Sequence, residues 1–405
     1  MPPFSFLIKP ASGACNMRCK YCFYENEMSL RQEEHPVFMT TDTAELLIKQ
    51  AFSSMEAVEK KPLPPVSFVF QGGEPTLAGL EFFRTFMKLV QTYNVLNCPV
   101  QYSIQTNGLS LNEEWADFFA ENRFLVGVSI DGDRALHESL RPDAAGNVTW
   151  DRVTGNLALL QSKQVETNLL CVVTKQCAKH PERYYRALKN LGCSFLQFIP
   201  CLDPLNASRG SMPYSLSPKL YGSFLCGLFD EWYWDWKSGH YTSIRLFDDY
   251  IHLALGMPAS TCAASGRCGA YFVVEGDGTL YPCDFYCLNE WKIGKLGEAP
   301  LTEYAASPVE ARFLEEGTRH PSECSACHFY PLCYGGCKRD WYTDATGNNH
   351  NYFCSAFLQL FTYAEQRILE IARTEQQLIS RHHTPINASK VPTIFNLPYP
   401  HSRLG

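Results

Sequence analysis

The chain has 405 residues, 45% hydrophobic and 19% charged, enough for one large domain with a smaller one attached. A formal net charge of −7 excludes the basic footprint of a nucleic-acid binder and the polybasic anchor of a peripheral membrane protein. The opening MPPFSFLIKP has no basic region leading into a long apolar stretch, and no run reaches about 18 apolar residues, so no signal peptide or spanning helix is expected and a cytoplasmic location is.

In chain order, β-branched and aromatic runs predict strands at 4–8 (FSFLI), 66–70 (VSFVF), 100–104 (VQYSI), 124–130 (FLVGVSI), 165–173 (VETNLLCVV) and 194–199 (SFLQFI). Helical periodicity follows at 42–58, 80–93, 112–121, 151–163, 180–191 and 218–237. In the first of these, Ala44, Leu47, Ile48, Ala51 and Met55 share one face, with Asp42 and Glu45 as a capping pair. Six strands each followed by a helix predict an α/β fold, a partial barrel of six parallel units left open. Beyond about residue 240 the alternation stops. Residues 262–354 hold nine of the eighteen cysteines, with only short strand-like pieces at 271–275 and 279–282, and predict a small part organised by metal. Residues 357–381 read as helical turns and 382–405 as an irregular tail. The resulting division is 1–240, 241–375 and 376–405.

The unusual residues fall just after strands. Cys15, Cys19 and Cys22 follow the first, QGGEP (71–75) the second, QTNG (105–108) the third, DG (131–132) the fourth and PCLDP (200–204) the sixth. Five such loops converge on the carboxyl-end rim, where parallel barrels place their chemistry. Thiols in a chain of this kind point to metal or redox roles before disulfides. The spacing C-x3-C-x2-C provides three thiolates, which suits a four-iron cluster with one iron left open, or a catalytic zinc that also holds water.

With Tyr21 before its last cysteine and GGEP after the second strand, that motif resembles the radical S-adenosylmethionine (SAM) enzymes. The resemblance implies that the open iron chelates the amino and carboxylate groups of SAM, and that reductive cleavage yields a 5′-deoxyadenosyl radical. By position, Tyr21, Gly73, Ser129, Arg141 and Leu202 would line the SAM site. Arginine at 141 also suits a carboxylate, which a guanidinium grips bidentately.

The second half, Cys262-x5-Cys268-x14-Cys283 and then Cys324-x2-Cys327-x5-Cys333-x3-Cys337 with Cys354, resembles the SPASM extension of peptide-modifying radical enzymes. By that resemblance Cys262, Cys268, Cys283 and Cys337 hold one auxiliary four-iron cluster, and Cys324, Cys327, Cys333 and Cys354 a second, for three [4Fe-4S] clusters in all. Two structural zincs are the alternative occupants. The remaining cysteines (98, 171, 177, 193, 201, 226 and 287) read as buried thiols. Trp232, Trp234 and Trp236 read as packing residues, since alternate spacing forms no helical stripe.

The stretches FQGGEPTLAGLEFF (70–83), LCVVT, LQFI.CLDPL and YPCDFY (281–286) narrow the resemblance to anaerobic sulfatase-maturating enzymes, over residues 1 to about 370, with an acidic insertion-like stretch at 25–35. It implies oxidation of a cysteine or serine in a Cys/Ser-x-Pro-x-Arg segment of a sulfatase to Cα-formylglycine, with an external one-electron donor such as flavodoxin or ferredoxin. Asp284 would be the proton acceptor, and Tyr24 and Gln71 would touch the peptide. Another SPASM peptide modifier, or a non-catalytic cluster protein that carries electrons, would share the cysteines; the second leaves GGEP and Arg141 without a role.

Overall fold

A computed structural model describes residues 4–31, 36–59 and 62–381, with side chains through residue 378. Its main sheet contains the six expected strands, β1 (Ser5–Ile8), β2 (Val66–Phe70), β3 (Val100–Thr106), β4 (Leu125–Ser129), β5 (Glu166–Val173) and β6 (Phe195–Pro200), each parallel to the next. Parallel neighbours need crossovers. Helices Thr41–Ser53, Leu80–Tyr93, Glu113–Glu121, Trp150–Ser162 and Pro181–Lys189 supply them, and Pro218–Lys237 follows β6.

Alternation along β2 explains the packing. Phe68 and Phe70 point to the helices, where their rings lie 5.1 Å from Phe86, and Phe70 lies 4.9 Å from Phe83. From the other face of the sheet, Leu7, Gln105, Leu170 and Gln197 reach the interior cavity.

The edges of the sheet differ from the six-unit expectation. A two-residue strand β7 (Ser243–Ile244) pairs parallel with β6. At the other edge β8 (Phe272–Val274) from the cysteine-rich region pairs parallel with β1, and β9 (Thr279–Tyr281) and β10 (Gly294–Lys295) continue antiparallel. The cysteine-rich half is therefore tied to the barrel by backbone pairing, and Phe272, Val274 and Leu280 belong to the barrel's core rather than to metal-organised loops alone.

Five local expectations change. The cap of Thr41–Ser53 is Thr40, whose hydroxyl accepts from Thr43 N at 3.2 Å; Glu45 pairs along the helix with Lys49 instead, while the predicted buried face is buried throughout. The acidic stretch contains a helix, Phe23–Arg31; residues 32–35 lie outside the described residues. The turns expected at 357–381 are one helix, Cys354–Arg381, laid along Pro218–Lys237 through Asp230–Arg367 (2.6 Å) and Trp236–Glu375 (2.9 Å) contacts; the tail 382–405 lies outside the described residues. Cys226 is half-buried rather than buried, whereas the other six extra cysteines are buried. Trp232 is a core residue, Trp236 bonds Glu375, and Trp234 is exposed.

Candidate active site

After β1 the chain turns over the rim and is held there by the neighbouring loops. Gly73 N donates to Ser12 O (2.8 Å), Glu74 N to Ala14 O (2.7 Å), Arg18 N to Pro142 O (2.9 Å) and Asn107 Nδ2 to Asn16 Oδ1 (2.8 Å). The loops after β2, β3 and β4 thus fix the segment carrying Cys15, Cys19 and Cys22. All three thiols face one cavity of about 350 Å³, shared with Tyr21, Tyr24, Gln71, Gly73, Ser129, Arg141, Leu202 and Asp284. Burial pushes the Cys19 thiol up to about 12 and raises Cys15 and Cys22, so ionised thiolates here need a compensating metal charge. Among the described residues no three His, Cys, Asp or Glu side chains close around the point a single ion would take. Three cysteines lining one cavity suit a multi-iron cluster, in which each binds a different iron.

GGEP serves this loop directly. A Cβ on Gly73 would lie 2.1 Å from Ala14 O, so the glycine is required by contact with the cysteine loop's backbone as well as by its place on the cavity wall. Glu74 is fully buried, and its carboxylate accepts from Thr76 Oγ1 (2.6 Å), Thr106 Oγ1 (2.8 Å) and Asn107 N (2.7 Å), joining the loops after β2 and β3.

Arg141 is 6% exposed, far from the surface arginine that its place before Pro142 would suggest. Its Nη1 donates to Tyr21 Oη at 2.7 Å, and that hydroxyl donates to the fully buried Asp131. Asp131 also accepts from Val172 N at 2.9 Å, which anchors the chain of contacts to β5. Nε of Arg141 is buried without a partner, so the guanidinium presents unused donor capacity at the wall facing the three cysteines. That is the arrangement a cofactor carboxylate fits.

Across the cavity Asp284 sits in a short 3-10 turn directly after Cys283. Its Oδ1 forms an ion pair with Lys9 Nζ at 2.7 Å, without hydrogen-bond angles, and its Oδ2 accepts from Gln71 Nε2 at 2.8 Å. Lys9 is fully buried and lies 3.3 Å from the centroid of the Tyr24 ring. Tyr24 reaches the cavity with its ring, but it is 2% exposed and its hydroxyl is committed to Glu275, which also pairs with Arg31 at 2.8 Å.

Motif reading missed Lys9, Glu74, Asp131 and Glu275. Glu74 and Asp131 stand inside motifs already singled out, and Lys9 ends an apolar strand just before the cysteine loop. Glu275 offered only a charge at the close of YFVVE.

In the cysteine-rich half Cys324, Cys327, Cys333 and Cys354 line one cavity of about 310 Å³. Cys262 and Cys337 line a second of about 210 Å³, which Cys333 and Arg339 also border. Burial, then the charges of Asp340, Cys262 and Cys283, raise the Cys337 thiol; burial, then Cys262, pushes Cys268 up to about 11. Cys337 is thus close enough to feel Cys262 and Cys283, and Cys268 to feel Cys262, while Cys333 borders both cavities.

Fold and site together define a radical SAM enzyme with an appended iron–sulfur domain. The radical SAM superfamily pattern matches residues 10–188, and the SPASM pattern, an iron-sulfur cluster-binding domain, matches 266–328. A cysteine-type anaerobic sulfatase-maturating enzyme of Clostridium novyi is 42% identical over 384 residues, covering 95% of this chain and 100% of its own. A serine-type enzyme of Klebsiella aerogenes is 33% identical, covering 89% and 85%. The solved structure of native anSMEcpe with bound AdoMet and Kp18Cys peptide superposes with a TM-score of 0.85 at 39% identity, covering 91% of this chain and 99% of that one. The chain belongs to the anaerobic sulfatase-maturating enzymes. It is accordingly a formylglycine-generating radical SAM enzyme that uses SAM and iron–sulfur clusters, and neither a passive electron carrier nor a crosslinking peptide modifier.

Proposed function

We propose that this enzyme oxidises one cysteine or serine in a Cys/Ser-x-Pro-x-Arg segment of a sulfatase, with cysteine preferred, and that Asp284 is the proton acceptor. The cysteine preference is supported by relatives: cysteine-type enzymes are 39–42% identical to this chain and serine-type ones 29–33%. Cys15, Cys19 and Cys22 would hold the cluster that binds SAM. Cys262, Cys268, Cys283 and Cys337, and Cys324, Cys327, Cys333 and Cys354, would hold two more, three [4Fe-4S] clusters in total. When bound, these groups would supply a radical that takes hydrogen from the target Cβ, its formation started by one electron from a donor such as flavodoxin or ferredoxin, and an acceptor for the electron the substrate then loses.

The chain supplies position and a base. Arg141 orients the cofactor's carboxylate, with Tyr21, Gly73, Ser129 and Leu202 completing its cradle. Gln71 and the Tyr24 ring contact the peptide. Asp284 takes the proton from the target Sγ or Oγ as the C=S or C=O bond forms. A carboxylate in a closed cavity can do this without admitting bulk water. Serine yields the aldehyde directly, and the thioaldehyde from cysteine is hydrolysed by water.

One observation carries the reading. Asp284, from the cysteine-rich half, shares its cavity with Cys15, Cys19, Cys22 and Arg141 from the barrel. The test incubates reduced, anaerobically reconstituted enzyme with SAM and a peptide carrying the motif, then weighs the peptide. The cysteine form should exchange sulfur for oxygen and lose two hydrogens, faster than the serine form is oxidised. Peptides left unmodified, or serine oxidised faster, would overturn the reading or its cysteine preference respectively.

A further inference from the structure

The buried ammonium of Lys9 has no part in the proposal so far. It lies on the same side of β1 as Leu7, which faces the cavity, yet Asp284 and Tyr24 cover it and it is fully buried. A buried lysine needs a counter-charge. Three carboxylates face it: Asp284, Glu275 and Glu27. Glu275 is already engaged by Arg31, Ser12 Oγ (2.9 Å) and Tyr24. Burial pushes the Glu27 carboxyl up to about 8, leaving it a poor anion at neutral pH. Asp284, at 2.7 Å, is the partner.

The backbone of Lys9 is itself immobilised. Its N–H donates to Val274 O at 2.8 Å, and its stem runs past Gly72, where a Cβ would come within 3.1 Å of Lys9 Cβ at a φ of +118°. Asp284 N donates to Tyr271 Oη at 3.2 Å. Each oxygen of Asp284 therefore meets one donor. Oδ1 meets Lys9, which lies beneath the cavity, and Oδ2 meets Gln71, which lines it.

From this we infer that Lys9 is a positioning residue for the reaction: from the end of the first strand it holds Oδ1 of Asp284 away from the cavity, so that Oδ2 is the oxygen offered to the substrate, covered by Gln71 until the peptide arrives. The inference rests on Asp284 as the proton acceptor. Lys9 touches neither cofactor nor peptide. It acts by fixing which edge of the carboxylate faces the target Sγ, and a misplacement of about 1 Å in such a group can cost about 10²-fold in rate.

The experiment compares the reconstituted parent with Lys9→Met, Lys9→Arg, Asp284→Asn and Lys9→Met/Asp284→Asn, using a cysteine peptide deuterated at the target Cβ. Iron content, 5′-deoxyadenosine, its deuterium content and formylglycine are measured for each. Lys9→Met should retain iron and release deuterated 5′-deoxyadenosine while formylglycine falls about 10- to 100-fold. Lys9→Arg should recover part of that loss, because it keeps a cationic donor. The double variant should make as much formylglycine as Asp284→Asn alone, since residues acting through one group are not additive.

Unchanged formylglycine per 5′-deoxyadenosine in Lys9→Met would overturn the inference, as would a double variant whose loss is the product of the single losses. If Lys9→Met loses iron, the double variant decides, because it buries no unpaired charge; loss of iron there too would make Lys9 a folding residue and overturn the inference. Normal formylglycine from Asp284→Asn would instead remove Asp284 as the base, an outcome distinct from any failure of Lys9.

Discussion

Arg141→Lys tests the proposed grip on the cofactor carboxylate apart from the fold. The guanidinium is 6% exposed, donates to Tyr21 Oη at 2.7 Å, and lies in the same contact chain as the fully buried Asp131. Deleting the charge, as in Arg141→Met, would remove the donor to Tyr21 Oη and the cation whose charge reaches the buried Asp131 through that contact chain. Lysine keeps the charge and removes only the planar fork and the spare Nε–H. A charge-assisted hydrogen bond contributes about 1.5–3 kcal/mol. Its loss should weaken SAM binding about 10- to 150-fold. The assay is equilibrium binding to anaerobically reconstituted enzyme, with SAM and with its decarboxylated analogue. The analogue should bind parent and variant within about threefold of each other, a difference of about 0.6 kcal/mol, because the group that Arg141 grips is missing. Equal SAM affinity in parent and variant, or the same loss for both ligands, would refute the assignment.

Three further outcomes are expected. Three four-iron clusters imply about 12 iron atoms per chain, and Cys15→Ala/Cys19→Ala/Cys22→Ala should remove about a third of them with all cofactor cleavage; stoichiometric zinc with negligible iron would defeat the cluster reading. Gly73→Ala places a methyl 2.1 Å from Ala14 O, so it should displace the cysteine loop and lose the same third of the iron, while full iron content would show that the loop can yield. Glu27 is 1% exposed with both oxygens unpartnered, and burial raises its carboxyl from 4.5 to about 8. Between those values the folded chain holds a proton that the unfolded chain has lost, so the stability present below about pH 4.5 is lost as pH rises through about 8. Glu27→Gln should accordingly gain thermal stability over the parent progressively from about pH 5 to pH 8, and melting curves that shift in parallel with pH would contradict this.

Local pattern determined a large part of this protein. Alternating runs placed all six barrel strands within a residue or two, because a strand buried on both faces, such as VSFVF, can hardly be anything else. The stripe Ala44, Leu47, Ile48, Ala51 and Met55 was buried as its period required. The cysteine loop and GGEP were legible because cluster ligation and tight backbone contact demand particular residues at particular spacings. The helix Phe23–Arg31 escaped notice for a physical reason. Its buried residues are Tyr24, Glu27 and Arg31, so the face turned inward is polar and no hydrophobic period exists to detect.

Only the tertiary structure decided how the two halves meet. The pairing of Phe6 with Phe272 joins strands far apart in sequence, and nothing local to either specifies the other. That pairing sets β1 beside β8 and brings Asp284 onto Lys9 and Gln71. A lone aspartate after a cysteine and a lone lysine after a strand are ordinary residues in sequence. Their burial against each other beside the three-cysteine cavity is what the proposed roles of base and holder rest on, because a charge withdrawn from water is stable only where the fold has already placed its partner.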